Sequence, residues 1–141
     1  MPYEILDHEA DAGIRGIGCT LEEAFAEAAR AMFALQVELE RVEPKEEVRV
    51  KCQADTLEGL FVAWLGELLF QRDLTGLVFS RFEVELNQQE GGSYRLSGRA
   101  WGEPLDPERH RAKVEVKAAT YSGLKIGKTD DRYYAQCVVD L

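Results

Sequence analysis

Apolar residues recur on a helical period in two stretches of the chain and on a period of two through most of the remainder. In CTLEEAFAEAARAMFAL, residues 19–35, Leu21, Ala24, Phe25, Ala28, Met32 and Leu35 fall on one stripe, the signature of an amphipathic helix. Thr20 stands where an N-cap is needed, and Glu23 can reach back to complete a capping box. In ADTLEGLFVAWLGELLFQ, residues 54–71, Leu57, Leu60, Phe61, Trp64, Leu65 and Leu68 form a second stripe, and Asp55 with Glu58 predicts a second box. The two starts echo each other, Thr-Leu-Glu-x-x-Phe at 20–25 and at 56–61. Shared capping chemistry accounts for the echo, because nothing around it matches.

Alternation predicts strands elsewhere. Residues 2–6 and 12–18 flank an acidic stretch; Val48, Val50 and Cys52 alternate in EVRVKC. Phe82, Val84 and Leu86 belong to one strand and YRLSGRAWG to the next, with Glu90-Gly91-Gly92 as the hairpin turn between them. KVEVKAATY, residues 113–121, puts Val114, Val116, Ala118 and Thr120 on one face, and a last strand runs from Tyr133 to Val139. Two helices among seven or eight mostly antiparallel strands predict an α+β fold, a layered sandwich of β-sheets packed with the two α-helices, formed by residues 1–141 as one domain.

Composition narrows the class. Of the 141 residues 45% are hydrophobic and 30% charged, as in ordinary globular domains. No apolar run approaches the ~20 residues that span a bilayer, and no segment resembles a signal peptide, so a cytoplasmic location without a membrane partner is expected. Cys19, Cys52 and Cys137 are odd in number and widely spaced, which predicts reduced thiols rather than a zinc or redox motif. A net charge of −9 argues against broad, self-sufficient nucleic-acid binding driven by phosphate neutralisation. The charge is uneven, since Arg109, Arg111, Lys113, Lys117, Lys125 and Lys128 face Glu115 alone between 109 and 128. That run is either a solvated strand face or a basic docking surface.

Most motif readings fail on spacing. GLKIGKT, residues 123–129, ends like a phosphate loop but has three residues between its glycines and no helix after them. GIRGIG is misspaced for a dinucleotide fingerprint, and its glycines predict a bulge or a close strand crossing. With His8 and His110 the only histidines and no nucleophile elbow, nucleophilic catalysis has little support.

The acidic stretch LDHEADAGIRGIG, residues 6–18, holds Asp7, His8, Glu9 and Asp11. It reads as a solvated turn, an acid/base pair or half of a cation site. At the other end Asp140 precedes Leu141 and its α-carboxylate. If the last strand ends beside Asp11, three carboxylates converge and need a proton, a basic residue or a cation. Hard oxygen ligands favour Ca²⁺ or Mg²⁺ over zinc.

YEILDHEADAGIRGIGCTLEEAF, DTLEGLFVAWLGELLFQRD, GEPLDPERHRAKVEVKAATYSGLKI and the ending CVVDL, taken in order over nearly the whole chain, resemble the archease family. The resemblance implies a non-catalytic accessory protein of the RtcB-type RNA ligase that joins tRNA halves. Its role would be to promote guanylylation of the ligase's catalytic histidine and multiple turnover, meeting tRNA through the ligase. It also implies a metal site at Asp11, Asp140 and Leu141 for a divalent cation, Ca²⁺ foremost and Mg²⁺ or Mn²⁺ as alternatives. Asp7, His8 and Glu9 would then surround the ligands, Glu9 standing where the family has Thr. His110, Lys113 and Lys117 would meet an acidic ligase surface or nearby RNA. The rival readings are a chaperone or modulator of another tRNA-modifying enzyme, such as a methyltransferase, and a small metal-dependent hydrolase using Asp7 or Asp11 as base.

Overall fold

The computed structural model describes residues 2–7 and 11–141. In chain order the elements are β1 (Tyr3–Asp7), β2 (Asp11–Gly18), α1 (Leu21–Ala34), a 3₁₀ turn (Leu39–Arg41), β3 (Glu46–Ala54), α2 (Leu57–Thr75), β4 (Leu77–Gln88), β5 (Tyr94–Pro104), β6 (Ala118–Ala119), β7 (Lys125–Thr129) and β8 (Arg132–Asp140). All pairings are antiparallel. One sheet has five strands in the order β1-β2-β8, with β6 and β7 both pairing β8; the other has three, β3-β5-β4.

The helices join the sheets. Helix α1 packs on β1, β2 and β8 of the larger sheet and on β4 of the smaller, while α2 packs on β3, β4 and β5 and also meets β6 and β7. Each helix therefore touches both sheets, the layered α+β arrangement the patterning predicts. Trp64 is wholly buried between them, its Nε1–H donating to the Phe25 carbonyl at 3.0 Å. The Phe25 and Phe61 rings pack 5.0 Å apart, and Phe33, Phe79 and Phe82 extend the core toward β4.

Both helices start on a threonine. The Thr20 hydroxyl accepts the Glu23 N–H at 3.1 Å, and the Glu23 carboxylate reaches back one residue past the cap to accept the Cys19 N–H at 2.8 Å, a variant of the expected box. In α2 the cap is Thr56 rather than the expected Asp55. Thr56 is extended, with φ −130°, and accepts the Gly59 N–H at 3.0 Å. The sequence echo is thus an echo of the caps themselves. Helix α2 stops at Gly76, whose φ of 75° is left-handed and whose N–H bonds the Arg72 carbonyl.

No bulge forms, because the β2–β8 register runs unbroken from Asp11 to Gly18; Gly13 admits Leu6 of β1 close to its backbone, while Gly16 and Gly18 serve the helix. A Cβ on Gly16 would overlap the Ala24 carbonyl and the Ala28 amide of α1. Two small helical residues and a bare strand backbone let α1 lie directly on the sheet.

Two motif regions take different forms. GLKIGKT becomes β7 and turns through Asp130 (φ 56°) into β8, so it builds no phosphate loop. The strand expected over 113–121 shrinks to Ala118–Ala119. Its backbone finds other partners: Lys113 N–H donates to the Gln36 carbonyl at 2.8 Å, Arg72 donates to the Val116 carbonyl at 2.7 Å, and Lys117 N–H donates to the Asp140 carbonyl at 2.8 Å. Val116 is buried by this route, whereas Val114 is 45% exposed. The Gln36 carbonyl after α1 and the Arg72 side chain of α2 take the place of a neighbouring strand until the segment reaches β8 at Lys117.

Gly16→Ala should cost about 1–3 kcal/mol, since the added methyl meets helix backbone that cannot yield. Gly66→Ala, on the exposed side of α2 with open space around its Cβ, should add about 0.5–1 kcal/mol through helix propensity. Urea midpoints of the two variants should move in opposite directions.

Candidate metal centre

Strand β2 begins at Asp11 and β8 ends at Asp140, and the ladder sets these two residues directly opposite each other. Cβ atoms of facing residues in an antiparallel pair lie about 5 Å apart on one side of the sheet, where like charges repel. The side is fixed by parity. Ala12 and Val139, also facing each other, are 6% and 0% exposed and point into the core, so Asp11 and Asp140 point outward. Asp140 is exposed and Asp11 half-buried. Backbone on the other edge of β8 holds this corner, with Ala118 paired to Asp140 and the Lys117 N–H on its carbonyl. Leu141 follows directly and packs its side chain against the core.

Two carboxylates in this arrangement suit a hard cation such as Ca²⁺ or Mg²⁺. Among the described residues no group of three or more His, Cys, Asp or Glu side chains is placed to hold an ion. The Asp11–Asp140 pair therefore offers two side-chain ligands and leaves further positions for a main-chain or terminal oxygen, water, or a group brought by another molecule. The Asp7 side chain, His8 and Glu9, expected around the ligands, lie outside the described residues; the Asp7 backbone pairs Ala12 at the end of β1.

The three residues expected to dock a partner separate. Lys117 is exposed and adjoins the acidic corner. Lys113 reaches back with Nζ to the Ala34 carbonyl at 3.2 Å, in the last turn of α1. His110 is wholly buried and presents no side chain to a partner, which corrects the expectation for it. The cause is a turn at Asp106, whose carbonyl accepts the His110 N–H at 2.8 Å and whose carboxylate accepts the Arg109 N–H at 3.2 Å. The imidazole folds inward, its Nδ1 accepting the Asp106 N–H at 3.0 Å, so Nε2 carries the hydrogen toward Glu103 Oε2 at 3.0 Å.

Glu103 is the residue that sequence patterning missed. It sits on the outward side of β5, yet it is 3% exposed because the turn covers it. Its carboxylate accepts from Arg109 at 2.7 Å, from the Glu43 N–H at 2.8 Å and from His110. The Arg109 bond chiefly, with help from the other two and against the cost of burial, holds its carboxyl down to about 2. No periodic signal announces such a clasp, since its partners come from a loop. The cysteines are unpaired, and burial pushes Cys52 up to about 11 and Cys137 up to about 12. Thiols held so high are poor nucleophiles.

Comparison with known proteins gives one family. Residues 3–141 match the model of the archease protein family. The protein archease of Pyrococcus abyssi is 47% identical over 140 residues, covering 99% of this chain and 98% of that one. That of Methanopyrus kandleri is 44% identical over 142 residues, covering all of both. The solution structure of a Methanobacterium thermoautotrophicum protein superposes with a TM-score of 0.87 at 36% identity over 99% of each chain. A crystal structure of a Thermotoga maritima archease, described as a possible chaperone, shares the fold with a TM-score of 0.60 at 20% identity, over 96% of this chain and 94% of that one.

The Glu103 clasp gives the fold an acid-sensitive point. Its carboxyl is lowered from 4.5 to about 2 on folding. Its contribution is therefore complete above pH ~4.5 and is lost as the pH falls toward ~2. Glu103→Gln should cost about 2 kcal/mol at neutral pH, as expected for hydrogen bonds to a buried charge. Urea denaturation at neutral and acid pH should show the wild-type advantage shrinking toward pH ~2.

Proposed function

This chain belongs to the archease family, and from that membership we propose that it is a non-catalytic activator of an RtcB-type tRNA-splicing RNA ligase. Its task is to promote guanylylation of the ligase's catalytic histidine and so to sustain multiple turnover. The observation that supports the reading is the register of β2 against β8, which pairs Asp11 with Asp140 at an outward corner of the sheet.

Guanylyl transfer to a histidine needs an ordered triphosphate, a compensated negative charge and an in-line nucleophile. Asp11, Asp140 and the end of the chain at Leu141 are the ligands we assign to a divalent cation, Ca²⁺ foremost. Such an ion neutralises phosphate oxygens and orients the leaving group when bound. The chain's own part is positional. The β2–β8 ladder holds the two carboxylates on a rigid edge, and the Lys117 and Ala118 backbone fixes β8 from the other side. Partial ligation leaves room for groups of the ligase pocket to complete the shell. Docking is assigned to the surface around Lys117, and tRNA is met through the ligase.

The rival reading, a chaperone or modulator of another tRNA-modifying enzyme, is separated by identifying the enzyme that co-purifies. In a single-turnover assay that labels the ligase with GTP, wild-type protein should raise the guanylylated fraction. Asp11→Ala and Asp140→Ala should abolish that increase and weaken Ca²⁺ binding by calorimetry, with unchanged circular dichroism and melting. Full stimulation by both variants overturns the reading.

A further inference from the structure

On the outer face of the five-stranded sheet, away from the acidic corner, lies a groove of about 370 Å³. Arg15, Lys125 and Arg132 line it together with Tyr134 and Gln136. Arg15 comes from β2, Lys125 from β7 and the others from β8, so three strands converge on it. The groove differs from its surroundings in sign. Within a chain of net charge −9, three cations meet here. Among the described residues Arg15 alone of the three is ion-paired, to Glu4 at 3.1 Å. Asp130 and Asp131 occupy the turn beyond Thr129, at the groove's far end.

Its parts are fixed in place. Gln136 accepts from Arg15 Nε at 2.9 Å and donates to the Gly123 carbonyl at 3.2 Å, which sets the guanidinium 6.0 Å from the Tyr134 ring centroid. Tyr134 faces Gly127 on β7, and a Cβ there would come within 2.8 Å of its hydroxyl. The ring therefore lies across the bare backbone of Gly127, half-buried, with the Arg15 guanidinium above it. The smaller sheet shows the contrast. There Arg49, Arg81 and Arg99 are bonded to Glu47 and Glu83, and the Trp101 ring is taken up by Arg81 and Arg99 at 4.7 and 5.1 Å.

Cations along a shallow groove beside a half-exposed aromatic ring suit a single strand of nucleic acid, phosphates on the cations and a base stacked against the ring and its neighbouring guanidinium. We propose that Arg15, Lys125, Arg132 and Tyr134 bind a short stretch of single-stranded RNA. The choice of RNA over DNA rests on the ligase reading; the binding itself does not. Screening over about 10 Å at moderate salt lets the groove act despite the acidity of the rest. Tyr134 and Asp140 project from the same face of β8, six residues or about 20 Å apart. RNA held in the groove thus runs along the face that ends at the acidic corner.

The test is fluorescence anisotropy with a labelled single-stranded RNA oligonucleotide and no ligase present. Wild-type protein should bind, with log K falling against log salt at a slope of about −2 for three neutralised phosphates. Lys125→Glu with Arg132→Glu should lose at least about tenfold and flatten the slope. Tyr134→Ala should lose about fivefold or more while Tyr134→Phe keeps its affinity. Lys51→Glu with Arg95→Glu, on the other sheet, should bind as wild type. No binding at low salt, or equal binding by the groove variants, overturns the proposal. So does a groove variant that loses ligase stimulation with RNA affinity unchanged, which makes the groove a protein contact. Because the ligase is absent from the binding assay, failure of the activator reading is seen separately, in the GTP-labelling assay.

Discussion

Everything placed at the acidic end of the larger sheet hangs on the hydrogen-bonded ladder between β2 and β8. That ladder runs from Asp11–Asp140 to Gly18–Tyr133 without a shift. It ties the beginning of the chain to its end, and a slip of one residue would turn every side chain to the opposite face. The apolar partners on the inner face prevent the slip: Ala12, Ile14, Ala135, Cys137 and Val139 are all buried. The acidic corner is therefore positioned by hydrophobic packing on the reverse of the same strands. Helix α1 completes the arrangement by resting on the backbone of β2, which only a residue without a side chain at Gly16 allows.

Much of this was legible in the residues. Helical periodicity located both helices and most of their buried stripe, and alternation located β2, β3, β5 and β8 with small errors at the ends. The proposed ligands came from resemblance and from their places at the chain's extremities, and the register then set Asp11 against Asp140. The misses have common physics. Alternation in residues 113–121 is genuine, but a strand also needs a partner, and the first half of the segment is held by the Gln36 carbonyl and the Arg72 side chain instead. Asp55 and Thr56 are both good caps, and local sequence does not decide between neighbours. His110 reads as a surface residue in a basic run because the short turn at Asp106 that folds it onto Glu103 follows neither the helical nor the strand period.

The two outer sheet faces divide the charge differently. On the three-stranded sheet Arg49, Arg81 and Arg99 are spent on neighbouring glutamates, in exposed pairs that contribute little to stability individually. On the five-stranded sheet two carboxylates stand together at one end and cations gather toward the other. A net charge of −9 conceals this polarity, which depends on strand order rather than composition.

The shared edge of β8 has a bearing on solubility. Its outer side is covered by two short strands, β6 of two residues and β7 of five, with the chain looping out between them. A long, flat edge invites another chain to add itself as a strand, and natural sheets interrupt or charge such edges. Here the interruption lies in the topology, and Lys125 and Lys128 add charge to the longer piece. On this side the sheet that carries the acidic corner thus gives its own copies no continuous edge on which to stack.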